Sequence, residues 1–196
     1  MNIIRLSELC EIFIGVNRFK TQNQLNDIDK SEYVYSYNLY RPSTNNSILI
    51  SKENYNFEKC YFDKSIDEKN FLLKGDILMK LVMPFKFILI DGTIDMFLAS
   101  SQYCIFRIKN KNLITPKQLW LYLNMYFEEE FKQYINKTLG IASIKTSDFK
   151  NKFINLDKVN DKKANLFYKS KFLDELHSNR KLLLEKIISN LCNRKE

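Results

Sequence analysis

Residues 71–92 read "FLLKGDILMKLVMPFKFILIDG". Two short apolar runs flank Pro84, and Lys74-Gly75-Asp76 and Asp91-Gly92 punctuate them. Apolar runs of this length, bounded by turn residues, predict strands. The first strand follows a turn at Lys74–Asp76, and "FKFILID" (85–91) pairs with it. Asp91-Gly92 is a hairpin signal. Asp76 is expected to hold the Gly-Asp turn through its own backbone.

Reading outward toward the N-terminus, "YVYSYNLY" (33–40) alternates and is aromatic or β-branched, which predicts a strand. Pro42 and "STNNS" (43–47) turn the chain before "ILIS" (48–51), and residues 52–70 read as a charged loop carrying aromatics. Residues 4–14 place Leu6, Leu9, Cys10 and Phe13 on one helical face, and Gly15 stops the pattern. Residues 16–32 are a polar, basic loop. Reading toward the C-terminus, "MFLASSQYCIFRI" (96–108) is a strand region and "FINL" (153–156) a short strand. The pattern over residues 115–136 predicts a helix with Thr115 as N-cap and Pro116 at the first position.

From about residue 161 the pattern changes. Leu166, Leu173, Leu176, Leu183 and Ile187 fall on the a and d positions of a heptad, with Arg180 at an intervening a position. A continuous helix of about 29 residues is roughly 43 Å long. Two arrangements satisfy this stripe: a projecting helix that needs a helical partner, or a helix folded back on its own domain.

Composition narrows the function. The chain has 196 residues, 45% of them apolar, with 4 Gly and 3 Pro, so it has side chain for a core and little linker. Lys and Arg number 31 against 23 Asp and Glu, a net of +8. Residues 145–196 carry 13 basic and 7 acidic side chains; residues 1–144 carry 18 and 16. Such a surplus fits a polyanion partner and equally an ordinary lysine-rich surface. Cys10, Cys60, Cys104 and Cys192 are far apart in sequence, with no C-x-x-C pair, as expected in a reducing compartment. Arg5, Glu8 and Glu11 interrupt the apolar N-terminus, so neither a signal peptide nor a membrane span is expected, and the location is expected to be cytoplasmic.

Catalytic patterns are missing. There is no P-loop and no Gly-rich cofactor loop, and Pro42, Pro84 and Pro116 form no Pro-Pro-Tyr-type loop for gripping an amine. His177 is the one histidine and sits within the heptad helix, which excludes His-dependent triads and His-rich metal sites. What remains is binding. A DNA reader needs cations for phosphates and amide or flat side chains for base edges. The loop at 15–24 offers Arg18, Lys20, Gln22 and Gln24; the segment 36–46 offers Tyr37, Asn38, Tyr40 and Arg41. "SIKTS" (143–147) offers Ser143, Lys145, Thr146 and Ser147. There, either the glycine and small residues let the loop approach a backbone, or the segment is a plain turn with Ser147 as an N-cap. Lys80 and Lys86 flank the apolar strand pair, as DNA contacts or as edge lysines that discourage aggregation.

The order of these landmarks resembles half of a specificity (S) subunit of type I restriction–modification systems. The matching segments are "RLSELCEIFIGV", "YVYSYNLY", "LLKGDILMK", "ASSQYCIFRI", "ITPKQLWLYLN" and "LGIASIKTSDFKNKFINL", in that order. The segment "DKVNDKKANLF" (157–167) departs from the resemblance, since it lacks the Pro-rich turn and Gln that usually open the long helix. The resemblance implies an α+β fold: a twisted, mostly antiparallel sheet with packed helices (target recognition domain, 1–157), then a long coiled-coil-like C-terminal helix (158–196). It implies sequence-specific binding of double-stranded DNA by a non-catalytic subunit with no cofactor of its own. The partners would be an adenine methyltransferase subunit, which would hold S-adenosylmethionine, and a restriction subunit. Complete S subunits carry two recognition domains and two helices, and one of each stands here, which implies a homodimer or a related chain paired through the C-terminal helix. The alternative is a protein–protein adaptor derived from such a domain that has lost DNA binding.

Overall fold

Alternation along three central strands assigns successive residues to two different cores. The computed structural model describes residues 2–26, 32–40, 57–92, 96–138 and 141–192. In chain order the elements are β1 (Ile3–Arg5), α1 (Leu6–Leu9), β2 (Cys10–Ile14), β3 (Lys20–Thr21), β4 (Tyr35–Tyr40), β5 (Phe57–Phe62), β6 (Ile77–Lys80), β7 (Phe87–Leu89), β8 (Phe97–Ala99) and β9 (Tyr103–Ile108). They continue with α2 (Pro116–Phe131), β10 (Asn136–Thr138), β11 (Ile141–Ser143), α3 (Thr146–Lys150), β12 (Phe153–Asn155) and α4 (Asp161–Cys192). The fold is α+β. Its strands divide between two four-stranded sheets, ordered β2-β9-β6-β7 and β3-β5-β4-β8, and two ribbons, β1-β12 and β10-β11. Among the described residues, the named strands all pair antiparallel except β4 with β8.

The first sheet is buried on both faces. Ile77, Met79, Phe87, Leu89, Cys104 and Phe106 point to the side that also holds residues of α1, α2 and α3. Leu78, Ile88, Ile90, Tyr103 and Ile105 join Tyr40, Phe97 and Ala99 of the second sheet. This explains why "ILM", "FIL" and "YCIF" read as unbroken apolar runs, since a strand buried on both faces has no polar side to show. Trp120 fixes α2 to β7 by donating its indole N–H to the Phe87 carbonyl at 3.0 Å. Thr115 caps α2 through the Gln118 N–H, and the Gln118 side chain accepts from the Thr115 N–H, as the Thr-Pro signature predicts.

Several expectations need correction. Residues 4–14 are strand–turn–strand rather than one helix. Leu6 and Leu9 are buried in the single turn of α1, and β2 is then drawn into the sheet by pairing with β9. The expected loop 52–70 contains β5, where buried Cys60 and Phe62 alternate with more exposed neighbours. Asp91-Gly92 is not a hairpin, because β8 leaves for the second sheet and runs parallel to β4. Lys145, not Ser147, occupies the N-cap of α3, and no side chain caps it. The turn at 42–47 and "ILIS" lie outside the described residues.

Two close approaches fix the chain path. A Cβ on Gly15 would fall 2.3 Å from the carbonyl oxygens of Ala99 and Ser100, so only glycine fits there. Asp76 does hold its turn, accepting the Leu73 N–H at 2.8 Å, and it also pairs with Arg107 across the sheet, at 2.9 Å from Nε and 2.7 Å from Nη2.

The helix α4 is 32 residues long and packs against α2 near its start. Ala164 is buried, Phe167 lies 4.8 Å from the Trp120 ring, and the Tyr168 hydroxyl donates to Asp91. The heptad residues face elsewhere. Leu166, Leu173, Leu176 and Leu183 are 60%, 63%, 49% and 60% exposed. The Ile187 side chain lies outside the described residues. No helix among the described residues is long and apolar enough to cross a membrane.

Candidate nucleic-acid interface

The register of the first sheet ends in one row. Ile14 lies opposite Cys104, Cys104 opposite Met79, and Met79 opposite Phe87. One step further, the Gly15 N–H donates to the Tyr103 carbonyl, Lys80 lies opposite Tyr103, and the Lys80 N–H donates to the Lys86 carbonyl. This end of the sheet gathers four segments distant in sequence. The loop from Gly15 is tied to the β8–β9 turn by Val16 N–H to Ala99 O (2.8 Å) and Ser101 N–H to Val16 O (2.7 Å). The same turn is tied to the end of β6 by Leu81 N–H to Gln102 O (2.9 Å). The 143–146 segment joins through Ile144 N–H to Leu81 O (3.2 Å) and a bridge between Val82 and Ser143.

The predicted residues distribute unevenly over this frame. Arg18, Lys80, Lys86, Ser143, Lys145 and Thr146 all belong to segments at this end, and Arg18 and Lys145 are exposed. Lys80, Lys86, Ser143 and Thr146 are half-buried. Among the described residues, Arg18, Lys80 and Lys145 have no ion-pair partner. Arg18 has a φ of 58°, a left-handed conformation that non-glycine residues rarely adopt and that functional loops often store. Lys20 sits on β3 with its ammonium 4.9 Å from the centre of the Tyr33 ring, and Gln22 is exposed in the 3-10 turn that follows. Gln24 is committed locally, since its side-chain oxygen accepts the Thr21 N–H at 3.0 Å.

The β4 residues are not gathered there. The Tyr37 ring packs against Phe62 and Phe71, and its hydroxyl accepts the Ile66 N–H at 3.3 Å. Asn38 lies mid-strand between Lys59 of β5 and Phe97 of β8. Tyr40 is buried in the shared core, and Arg41 lies outside the described residues. Sequence reading also missed Ser101 and Gln102, both exposed at the centre of the gathered end. Their signal was present in "ASSQY", a polar break between two apolar strands.

Among the described residues, no group of three or more His, Cys, Asp or Glu is placed to hold a metal ion. Burial pushes the Cys10 thiol up to about 12, and pushes the Cys104 thiol up as well. Both are core side chains held in the protonated, unreactive form.

The fold has known counterparts. Over 92% of its length the chain superposes on the HsdS subunit from Thermoanaerobacter tengcongensis, with a TM-score of 0.51 and 16% identity. The fold is that of an HsdS specificity subunit. A chain from a structure of the type I R-M system also matches, over 91% of this chain, with a TM-score of 0.48 and 14% identity. This chain spans less than half of either, 44% and 43% respectively. No family model and no curated protein matches the sequence. At 16% identity the HsdS likeness is one of fold, and the roles of individual residues rest on the geometry above.

Proposed function

We propose that this chain is a non-catalytic DNA-recognition subunit that directs a partner adenine methyltransferase, and a restriction subunit where one is present, to a specific duplex site. The observation that carries this reading is the convergence of Arg18, Lys80, Lys86 and Lys145, with Ser143 and Thr146, on one end of a sheet in an HsdS-like fold. Cations and hydroxyls carried by segments that meet at one end of a sheet match the phosphate contacts that fix a protein's register on a duplex. In this reading the unit through residue 157 is the recognition domain, and the segment 158–196, which contains α4, serves assembly. The bare leucines of α4 favour pairing with a second copy or a related chain. A buried large apolar side chain gains roughly 1.5–3 kcal/mol over an exposed one, and two-fold pairing is the commonest solution.

The test is duplex binding by fluorescence anisotropy across a salt series, with the purified chain alone and with the methyltransferase. Binding whose affinity falls steeply with salt, and which prefers one site over scrambled competitor, is expected. Absence of duplex binding in both forms would refute the reading. The same exposed stripe supports a second reading, an assembly adaptor whose domain no longer binds DNA, and residues 1–144 carry a surplus of only two basic side chains (18 against 16). In that case the methyltransferase would bind and DNA would not.

A further inference from the structure

The turn between β8 and β9 is tied through its backbone on both sides. Ala99 O accepts from Val16, Ser101 N–H donates to Val16 O, Tyr103 N–H donates to Ser100 O at 3.0 Å, and Gln102 O accepts from Leu81. A turn held from both flanks does not shift when a ligand arrives. Its side chains are the reverse of its backbone: Ser101 and Gln102 are exposed, and among the described residues the Gln102 amide has no hydrogen-bond partner. Gln24 and Gln118, by contrast, both spend their amide oxygens on helix-start N–H groups. Gln102 also borders a cavity of about 290 Å³ whose walls include Thr21, Gln24 and Ser100. On one flank of the turn stands Arg18; on the other stand Lys80, Lys86 and Lys145.

This arrangement separates two tasks. The flanking cations contact phosphates, which carry no sequence information, so discrimination requires a side chain between them that can tell one base from another. A glutamine presents a donor and an acceptor side by side, the complement of N6 and N7 on the major-groove edge of adenine. We infer that Gln102 is a base-reading residue of this chain, with the major-groove edge of an adenine as its partner, and that Ser101 supports it from the same rigid turn. The inference rests on the DNA-recognition reading above and assigns a specificity determinant within it.

The experiment is selection from a pool of random duplexes, using the full chain alone and with the methyltransferase. Wild type, Gln102→Ala, Gln102→Glu and Lys145→Ala are compared after a check that their unfolding midpoints agree. Wild type should enrich a motif containing an invariant A·T pair. Gln102→Ala should lose preference at that pair alone, binding the wild-type site about 5- to 150-fold more weakly, while its affinity for unrelated duplex at low salt stays unchanged. Gln102→Glu should shift the preference at that pair toward cytosine, whose amino group a carboxylate accepts. Lys145→Ala should weaken all duplexes alike. An unchanged motif in both Gln102 variants overturns the inference and leaves the DNA reading standing. Equal weakening on every sequence also overturns it, making Gln102 a general contact. Enrichment of no motif by wild type in either form overturns both.

Discussion

Asp76 provides the sharpest energetic test of the fold. Its side chain is 2% exposed, and its two oxygens receive the Leu73 N–H, Arg107 Nε and Arg107 Nη2. Arg107 in turn donates to the carbonyls of Lys69 (2.8 Å) and Phe71 (2.6 Å) and stacks over Phe13 at 5.1 Å. One ion pair therefore joins the 67–76 segment, β9 and β2. Removing one partner of a buried pair costs about 3–5 kcal/mol, because the other charge is left without compensation. In Asp76→Ala the guanidinium keeps two carbonyl acceptors, which sets the expected loss near 3 kcal/mol, while the orphaned Leu73 N–H adds about 1 kcal/mol or more. At a urea m-value of about 2 kcal/mol/M this shifts the midpoint down by about 1.5–2 M. Trp120, the single tryptophan and fully buried against β7, reports the transition by fluorescence. Arg107→Ala should cost a similar amount, and the double variant should cost much less than the sum, with a coupling of about 2 kcal/mol or more. A midpoint shift under about 0.5 M in Asp76→Ala, or additive single variants, would refute the claim that this pair holds the turn.

Three further outcomes are expected. Neutralising Arg18, Lys20 and Lys145 together should weaken duplex binding and flatten the salt dependence by up to about three contacts, each about 0.9 in slope; unchanged affinity would remove these residues from the interface. Leu176→Asp should convert a dimer, seen by light scattering at micromolar concentration, into a monomer; a wild type that is already monomeric leaves the α4 stripe to the methyltransferase. Burial raises the Cys10 thiol from 9.0 to about 12. The unfolded chain then sheds that proton first as pH rises, so stability present below pH 9 should fall by up to about 1.4 kcal/mol per pH unit above it. Urea midpoints at pH 8 and pH 10 measure the decline, and Cys10→Ala should make it shallower.

Local signals carried much of the fold. The Thr115-Pro116 start of α2 and the turn at Lys74–Asp76 both rest on groups within four residues of one another, and both are seen. The failures share a different cause. Residues 4–14 satisfy helical periodicity, yet β2 forms because Cys10 and Ile12 reach Ile108 and Phe106 across the sheet, a partner almost 100 residues away. Strand β5 hid behind Glu58 and Lys59, which stand among its more exposed positions. Asp91-Gly92 has hairpin chemistry, but Phe97–Ala99 are apolar on both sides and are drawn between two cores, so the chain crosses to the second sheet instead of returning. Gly15 looked like a helix stop; its real constraint, the Ala99 and Ser100 carbonyl oxygens that would lie 2.3 Å from any Cβ there, cannot be read without the topology.

The candidate site was legible as a set of residue types and illegible as a place. Arg18, Lys80, Lys86 and Lys145 were each visible as cations in turns or at strand ends, but nothing local ties position 18 to position 145. The tie is register: β2 ends beside the start of β9, β9 starts beside the end of β6, and Ile144 binds the residue that follows β6. The same logic withdraws Tyr37, whose alternation on β4 turns its ring toward Phe62 and Phe71 while Asn38, the next residue, lies between two partner strands. It also places α4. Asp76 immediately precedes β6 and Lys80 ends it, and Asp91 follows the Asp76 partner Ile90, so the Tyr168–Asp91 contact docks α4 at the end of the sheet opposite Lys80. Strand β6 therefore separates the two ends by its own length, about 13 Å at 3.3 Å per residue. With Tyr168 anchored at that end and the proposed DNA contacts at the other, an assembly partner on the bare face of α4 need not compete with DNA for the same surface.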